Sequence, residues 1–275
     1  MKSPNYKVKI GIIGCGAIGS RMAKGIIHDF QKDCRIVGLY DIDEKKTTRL
    51  IKQLNLTNIT TKSIDAVIEK SDCVIEAVNT DGTLDIVKKS IRSGKSALAM
   101  SVGRLINSME LFKEARKNKC YILLPSGAIA GVDAIKAASL VKLRTITLTT
   151  RKPPQGFGEN PYFKEHNIDL TNIKKETIIF EGNVDDALKY FPQNINVAAT
   201  IALACRDKKK VKIKIMTSPE FKQNSHEVEL EGDFGHIITR TNNVVCPDNP
   251  KTSYMAVLSG LQTLKQYCTG ILIGT

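Results

Sequence analysis

The stretch Lys7–Ile27, KVKIGIIGCGAIGSRMAKGII, decides the fold. It reads as a short apolar strand, then Gly14-x-Gly16-x-x-Gly19, then a helix with apolar periodicity. Gly14 permits the tight turn off the strand, Gly16 lets a pyrophosphate approach the backbone, and Gly19 lets the helix pack closely on the strand. The helix N-terminus then offers N–H groups and positive dipole potential to the phosphates. With glycine at about 7% of residues, three glycines so spaced arise by chance in roughly one chain of this size in ten. Context has to carry the reading. A second apolar run, Ile36-Val37-Gly38-Leu39-Tyr40, ends at Asp41, where an acid can accept hydrogen bonds from the adenine-side ribose hydroxyls. The combination implies a nicotinamide-type dinucleotide held by Gly14, Gly16, Ala17, Ile18, Gly19 and Asp41. The alternative is the same fold without its ligand.

From the start to about Leu124 the pattern alternates strand and helix. Strands are expected at Lys9–Ile13, Ile36–Tyr40, Cys73–Ala77, Ser96–Ser101 and Tyr121–Leu124, with helices including Leu84–Ile91 and Ser108–Lys117. That is the doubly wound α/β signature of a Rossmann domain, a parallel sheet covered on both faces. Asn79-Thr80-Asp81, after the third strand, sits where a loop at the carboxyl edge of the sheet would face the dinucleotide. Asp81 can equally cap the next helix, the commoner role for an acid there. After Pro125-Ser126-Gly127 the character changes. A helix-like stretch at Gly131–Ser139 leads to a strand at Arg144–Thr150 and a Pro/Gly-rich loop. Further β-type runs at Thr177–Phe180, Val211–Met216, Glu227–Leu230 and Phe234–Thr241 are separated by the helical Val184–Tyr190 and Val197–Leu203. This is an α+β domain on an open, mostly antiparallel or mixed sheet. Past Pro247-Asp248-Asn249-Pro250, residues Tyr254, Val257, Leu258, Leu261 and Leu264 share one face of a terminal helix. The expected organisation is 1–125 as the dinucleotide domain, completed by the helical 247–275, with 126–246 as a catalytic and dimerisation domain. The site is expected in the cleft between them.

The 275 residues can bury a proper core as one large domain or two modest ones. No apolar run approaches a membrane span, and MKSPNYK at the start lacks an apolar signal core. The seven cysteines are scattered singly, without a CxxC pair, which argues against a disulfide framework and against a cysteine-built metal site. A cytoplasmic location without membrane partners is expected. The net charge of +13 is carried mainly by lysines spread along the chain. In the densest run, Lys208–Ile215, lysine alternates with Val and Ile, the pattern of a strand with one buried and one solvated basic face. Nucleic acid is therefore not an expected partner.

A bound nicotinamide implies hydride transfer, and the protein must supply positioning and proton management. Of the four histidines, His28 lies near the end of the first helix, His166 in a polar stretch and His236 within a β-type run. His226 stands at a strand entry after the polar loop Lys222–Ser225, which suits a residue aimed into a cleft. The small residues of Ser126–Gly131 would let the backbone approach a flat ring, or simply pack tightly. Asn194 and Asn196 frame a helix start, where they can cap it or hold a carboxamide or carbonyl. Lys251-Thr252-Ser253 could bind an anion at the start of the last helix, or cap it.

Five blocks resemble the L-aspartate dehydrogenases in their order: GCGAIG at 14–19, PSGAIAGVDAI at 125–135, RKPP at 151–154, FEGNVDDALKYFPQNINVAAT at 180–200 and DNPKTSYMAV at 248–257. The resemblance runs nearly end to end. It implies NAD(P)-dependent oxidation of L-aspartate to iminoaspartate, which hydrolyses to oxaloacetate and ammonia or supplies quinolinate for NAD synthesis. It places the catalytic histidine on His226 and cofactor contacts on Ala130 and Asn196, and it implies a homodimer. The family's histidine often lies in an HNIH-like context, whereas this chain reads Gln223-Asn224-Ser225-His226. Asp41 favours NAD, since a 2′-phosphate would meet its charge, while Lys45 and Lys46 leave NADP possible. The substrate carboxylates need partners, for which Arg151, Arg240 and Lys251, with Asn194 for the substrate, are the candidates. The rivals are a dehydrogenase of another small amino acid, such as a homoserine dehydrogenase relative, and a non-catalytic NADH-binding redox regulator.

Overall fold

A computed structural model of the chain describes residues 7–78, 81–191, 195–247 and 249–274. The chain divides into two compact units, one running to Pro125 and resuming over Val257–Ile273, the other taking Ser126–Ala256.

The first unit alternates β1 (Val8–Ile13), α1 (Ala17–Asp29), β2 (Cys34–Tyr40), α2 (Glu44–Gln53), α3 (Ile64–Lys70), β3 (Cys73–Glu76), α4 (Thr83–Arg92), β4 (Ser96–Ala99), α5 (Met109–Lys117) and β5 (Ile122–Leu123). All five strands run parallel in the order β2-β1-β3-β4-β5. The doubly wound sheet read from the sequence is present, and its topological switch falls between β1 and β3. In such sheets ligands bind outside the carboxyl ends of the strands at that switch. β1 and β3 are nearly continuous apolar runs because they are covered on both faces; Ile10, Ile12 and Ile75 are fully buried. The helices α2 and α3, which sequence periodicity did not single out, begin at side-chain caps: Asp43 accepts from Lys45 N and Ser63 accepts from Ala66 N. Asp81, expected to cap α4, instead pairs with Arg104 Nη1 at 2.7 Å, and Gly82 takes the cap position.

The second unit carries α6 (Val132–Ala138), β6 (Leu143–Lys152), α7 (Pro161–Glu165), β7 (Thr177–Asn183), α8 (Val184–Tyr190), α9 (Ile195–Cys205), β8 (Val211–Thr217), β9 (Asn224–Gly232), β10 (Gly235–Asn243), β11 (Val245–Cys246) and β12 (Asn249–Ser253). Its five-stranded sheet has the order β10-β9-β6-β8-β7. Only the β6–β8 pair is parallel, so the sheet is mixed. One face buries Ile146, Leu148, Val211, Ile213, Val228 and Leu230. α8 and α9 pack on β8, and α6 packs on α9. The other face presents Thr147, Lys212, Lys214, Glu227 and Glu229, by strict strand alternation. The basic run begins with a 3-10 turn at Lys208–Lys210 before its strand opens at Val211.

Residues 251–253 do not start a helix; they lie in β12, which pairs with β11. The last helix, α10 (Tyr254–Thr269), follows directly. Its buried stripe is Val257, Gly260 and Leu264, while Leu258, expected on that face, is 40% exposed. A Cβ on Gly260 would sit 2.8 Å from Met100 Sδ, and one on Gly25 of α1 would sit 2.5 Å from Leu261 Cδ2. These two bare positions let α10 and α1 close on the side chains between them. Among the described residues no helix is long and apolar enough to cross a membrane.

Candidate active site

At the carboxyl end of β1 the chain turns through Gly14 with φ of +98°, a conformation that disfavours any side chain. A Cβ there would also lie 2.5 Å from the Ala77 carbonyl oxygen of the neighbouring loop. A Cβ on Gly19 would lie 1.8 Å from the Gly14 carbonyl oxygen, so the helix can seat against the turn only without one. Gly16 differs: nothing stands within 4 Å of its Cβ position. It is the N-cap of α1 and brings no side chain to the first-turn N–H groups, so Ala17 and Ile18 open the helix beside unfilled space. This is the cradle a dinucleotide phosphate requires.

Asp41 sits at the end of β2 with its side chain 9% exposed. Its Oδ2 accepts from Cys15 N at 2.7 Å and its Oδ1 from Asp43 N at 2.9 Å, with Lys46 Nζ 3.7 Å away. The carboxylate therefore fixes the glycine turn to the end of β2. Cys15 itself is buried, and burial pushes its thiol up to about 11, too high for it to act as a thiolate.

Glu76 is a residue that no sequence motif singles out. It ends β3 at the topological switch and is fully buried. Its Oε1 accepts from Val78 N at 2.9 Å and Thr83 Oγ1 at 3.0 Å, and its Oε2 from Ser101 N at 3.1 Å. Burial raises its pKa and these donors partly offset that. The carboxyl ties together the ends of β3, β4 and the start of α4. The signal was available as one acid inside the apolar Cys73–Ala77.

In the second unit His226 lies in β9, directly opposite Thr150 of β6 and Thr241 of β10. It is 8% exposed, and its Nδ1 is 3.0 Å from Thr150 Oγ1. Burial, and secondarily the charge of Lys152, lowers its pKa to about 4, so the ring is neutral at neutral pH. Alternation puts Lys152 on the same face, two residues beyond Thr150. Burial lowers the Lys152 ammonium to about 8. The same face of β10 staples the small-residue segment: Thr241 Oγ1 and Asn243 Nδ2 donate to Ala128 O at 2.9 and 3.1 Å, and Thr239 Oγ1 to Ala130 O at 3.1 Å. Gly131, with φ of +83°, then opens α6. The segment around Ala130 is thus held against the face that carries His226.

Arg151 and Arg240 are not brought to that face. Arg151 is one residue out of phase with Thr150 and Lys152, and Arg240 pairs across from Glu227. Arg151 reaches Glu176 at 3.2 Å and Glu227 at 3.5 Å, while Arg240 reaches Glu227 at 3.9 Å. Both are spent in an acid–base cluster on the opposite side of the sheet. Asn196 is the second residue of α9 and is exposed. Asn194 lies outside the described residues, as does the side chain of Lys251, whose backbone belongs to β12. The other histidines stand elsewhere: His28 in the last turn of α1, His166 stacked on Tyr162 at 3.9 Å, and His236 on the outer face with Nε2 2.8 Å from Glu229. Lys152 stands in the RKPP block, and its place on the face of His226 follows from the β6–β9 register, which sequence alone does not show.

Comparison with known proteins adds to this geometry. A family model described as the C-terminal part of aspartate dehydrogenase matches residues 133–267, and one described as the NAD-binding domain of homoserine dehydrogenase matches 14–125. The chain is 40% identical over 271 residues to an L-aspartate dehydrogenase of Methanosarcina mazei, covering 98% of this chain and 100% of the relative. It is 36% identical over 272 residues to an L-aspartate dehydrogenase of Methanococcus maripaludis, at 98% and 100% coverage. Among solved structures, the aspartate dehydrogenase of Thermotoga maritima superposes with a TM-score of 0.76 at 24% identity, covering 98% of this chain and 100% of that one. That likeness speaks to the fold.

Proposed function

The chain belongs to the L-aspartate dehydrogenase family, and from that premise we propose that it oxidises L-aspartate to iminoaspartate with a nicotinamide dinucleotide. The observation that carries the reading is the neutral, buried His226 with a hydroxyl at its Nδ1. When bound, the dinucleotide supplies the acceptor for the hydride that leaves Cα. The chain's own task is the proton. The aspartate ammonium must lose one before its lone pair can form the C=N bond, and a neutral imidazole can take it. In the tautomer whose Nδ1–H donates to Thr150 Oγ1, the lone pair is on Nε2, which then serves as the base. In the reverse direction the imidazolium returns the proton. The imine afterwards takes up water, giving oxaloacetate and ammonia. Ala130 and Asn196 are the proposed second-unit contacts to the cofactor, and the glycine turn with Asp41 supplies those of the first.

The test is reduction of NAD and of NADP, run separately, by purified protein with L-aspartate, with D-aspartate, L-glutamate and L-homoserine as controls. Turnover confined to L-aspartate is the expected result. Tight NADH binding without turnover of any amino acid would overturn it in favour of a redox-sensing binder, and turnover of another control would reassign the substrate.

NAD is the expected cofactor. A 2′-phosphate would meet the Asp41 carboxylate, which Lys46 at 3.7 Å offsets only in part. Asp41→Ala is expected to raise KM for NAD about tenfold, the scale of one lost charge-assisted hydrogen bond. The preference for NAD over NADP in kcat/KM should fall by about the same factor or more. Parallel steady-state kinetics with the two cofactors reads this out; an unchanged ratio would remove Asp41 from the discrimination.

A further inference from the structure

We propose that Lys152 holds a carboxylate of the substrate beside His226, an inference that rests on the aspartate reading above. An aspartate site has to receive two negative charges in a partly desolvated place, and each needs a cation or N–H groups to offset its lost hydration. The arginines that sequence offered for this lie on the other face of the sheet, engaged by Glu176 and Glu227. Lys152 is on the right face. Thr150 stands directly opposite His226, and Lys152 follows two residues on, about 7 Å along the strand, within reach of a four-carbon stem. The backbone is held there by Thr217 Oγ1 donating to Lys152 O at 2.8 Å. The stem lies against Gly156, whose Cβ position is 3.7 Å from Lys152 Cδ, and Nζ sits 5.7 Å from the Phe157 ring centroid. The lysine is half-buried, so its side chain is partly desolvated.

The arrangement also couples binding to chemistry. Among the described residues of the sheet strands, Lys152 and His226 are the titratable side chains at this end of the face. Arg144 lies at the far end of β6 beside Asp233, the same-face residues of β8 and β10 do not titrate, and neither 126–131 nor 153–157 contains a titratable side chain. The charged groups of the adjoining elements, Glu220 and Lys222 in the β8–β9 connection, Asp133 and Lys136 on α6, and Asp185, Asp186 and Lys189 on α8, are exposed. Without substrate, the ammonium helps to hold the imidazole pKa at about 4, low for a base that must accept a proton from an amino acid. A carboxylate seated on Lys152 neutralises that ammonium and brings its own negative charge near the ring. Both effects raise the imidazole pKa toward the working range. The substrate would therefore complete its own base.

Lys152→Met and Lys152→Arg test this beside the wild type. In K152M, KM for L-aspartate should rise at least about a hundredfold while kcat falls less than tenfold, with NADH affinity by fluorescence titration unchanged. K152R should recover much of the KM. Succinate, a dicarboxylate without the amine, should inhibit the wild type competitively and K152M far less. The acidic limb of kcat/KM should move to higher pH in K152M, because the free enzyme's His226 has lost its cationic neighbour. An unchanged KM, or succinate binding that K152M retains, would overturn the proposal. Thermal melting guards against a folding defect; if K152M is unfolded, K152R and Lys152→Gln take its place with the same readouts. If the wild type turns over no aspartate, the functional reading fails separately, and calorimetric binding of succinate to wild type and variant in the presence of NADH still decides whether Lys152 holds a carboxylate.

Discussion

Replacing His226 by alanine is expected to lower kcat for L-aspartate oxidation at least about a thousandfold, within the range spanned by loss of a positioned general base. NADH affinity should stay within a factor of about two, because the glycine turn, the α1 N-terminus and Asp41 all belong to the first unit. The same substitution should change the stability of the protein in acid. The unfolded chain binds the histidine proton near the ordinary 6.5, whereas the native ring takes it only near pH 4. Between those values the unfolded state holds more protons, so the stability this site permits is complete above pH 6.5 and is lost as the pH falls toward 4. The loss amounts to roughly 3 kcal/mol by linkage. Urea unfolding of wild type and variant at pH 7 and pH 4.5 should show a smaller acid loss in the variant. Equal loss of turnover and NADH binding would mark His226 as a structural residue, and an unchanged acid sensitivity would mean that its ring is not held neutral by burial.

The first unit was legible in the sequence because its signals are local. A strand, three glycines and an acid at the end of the next strand lie within 35 residues, and each acts on a neighbour in the turn or one strand away. The second unit is built from contacts between distant parts of the chain. Thr150 and His226 are 76 residues apart, and their pairing follows from the β6–β9 register, which no local period encodes. Hence His226 could be singled out as a polar residue at a strand entry, and more strongly by resemblance, while the partner that orients it could not. The arginines show the same limit from the other side. Arg151 and Lys152 are adjacent cations in one block, and a single step of strand alternation sends one to Glu227 and the other to the histidine's face. Charge pointed to the arginine; register points to the lysine. Glu76 was hidden differently, since a lone acid in an apolar strand acquires its meaning only from Thr83 and Ser101, which arrive from other segments.

The second and third glycines of the fingerprint should separate when each is changed to alanine. Gly19→Ala places a methyl group 1.8 Å from the Gly14 carbonyl oxygen, about half a normal contact distance. That oxygen cannot retreat easily. Gly14 N is bonded to Tyr40 O at 2.8 Å, and the other side of Gly14 lies close against the Ala77 carbonyl. The helix must lift instead, which pulls Met22, Ala23 and Ile26 from the core they fill. A cost of about 3 kcal/mol or more is expected, with melting lowered by roughly 6–12 °C for a unit of this size and NADH affinity reduced at least about a hundredfold. Gly16→Ala meets nothing within 4 Å and has a negative φ, so stability should change by less than about 1 kcal/mol. Its methyl group would nevertheless occupy the space through which a pyrophosphate reaches the helix N-terminus, and NADH affinity should fall by a factor comparable to that in Gly19→Ala. Melting curves and NADH titrations of the two proteins distinguish the roles. A Gly16→Ala protein that binds NADH as well as the wild type would show that the open space beside α1 is not where the dinucleotide lies. A Gly19→Ala protein that melts like the wild type would show that the close contact between turn and helix contributes nothing to holding them together.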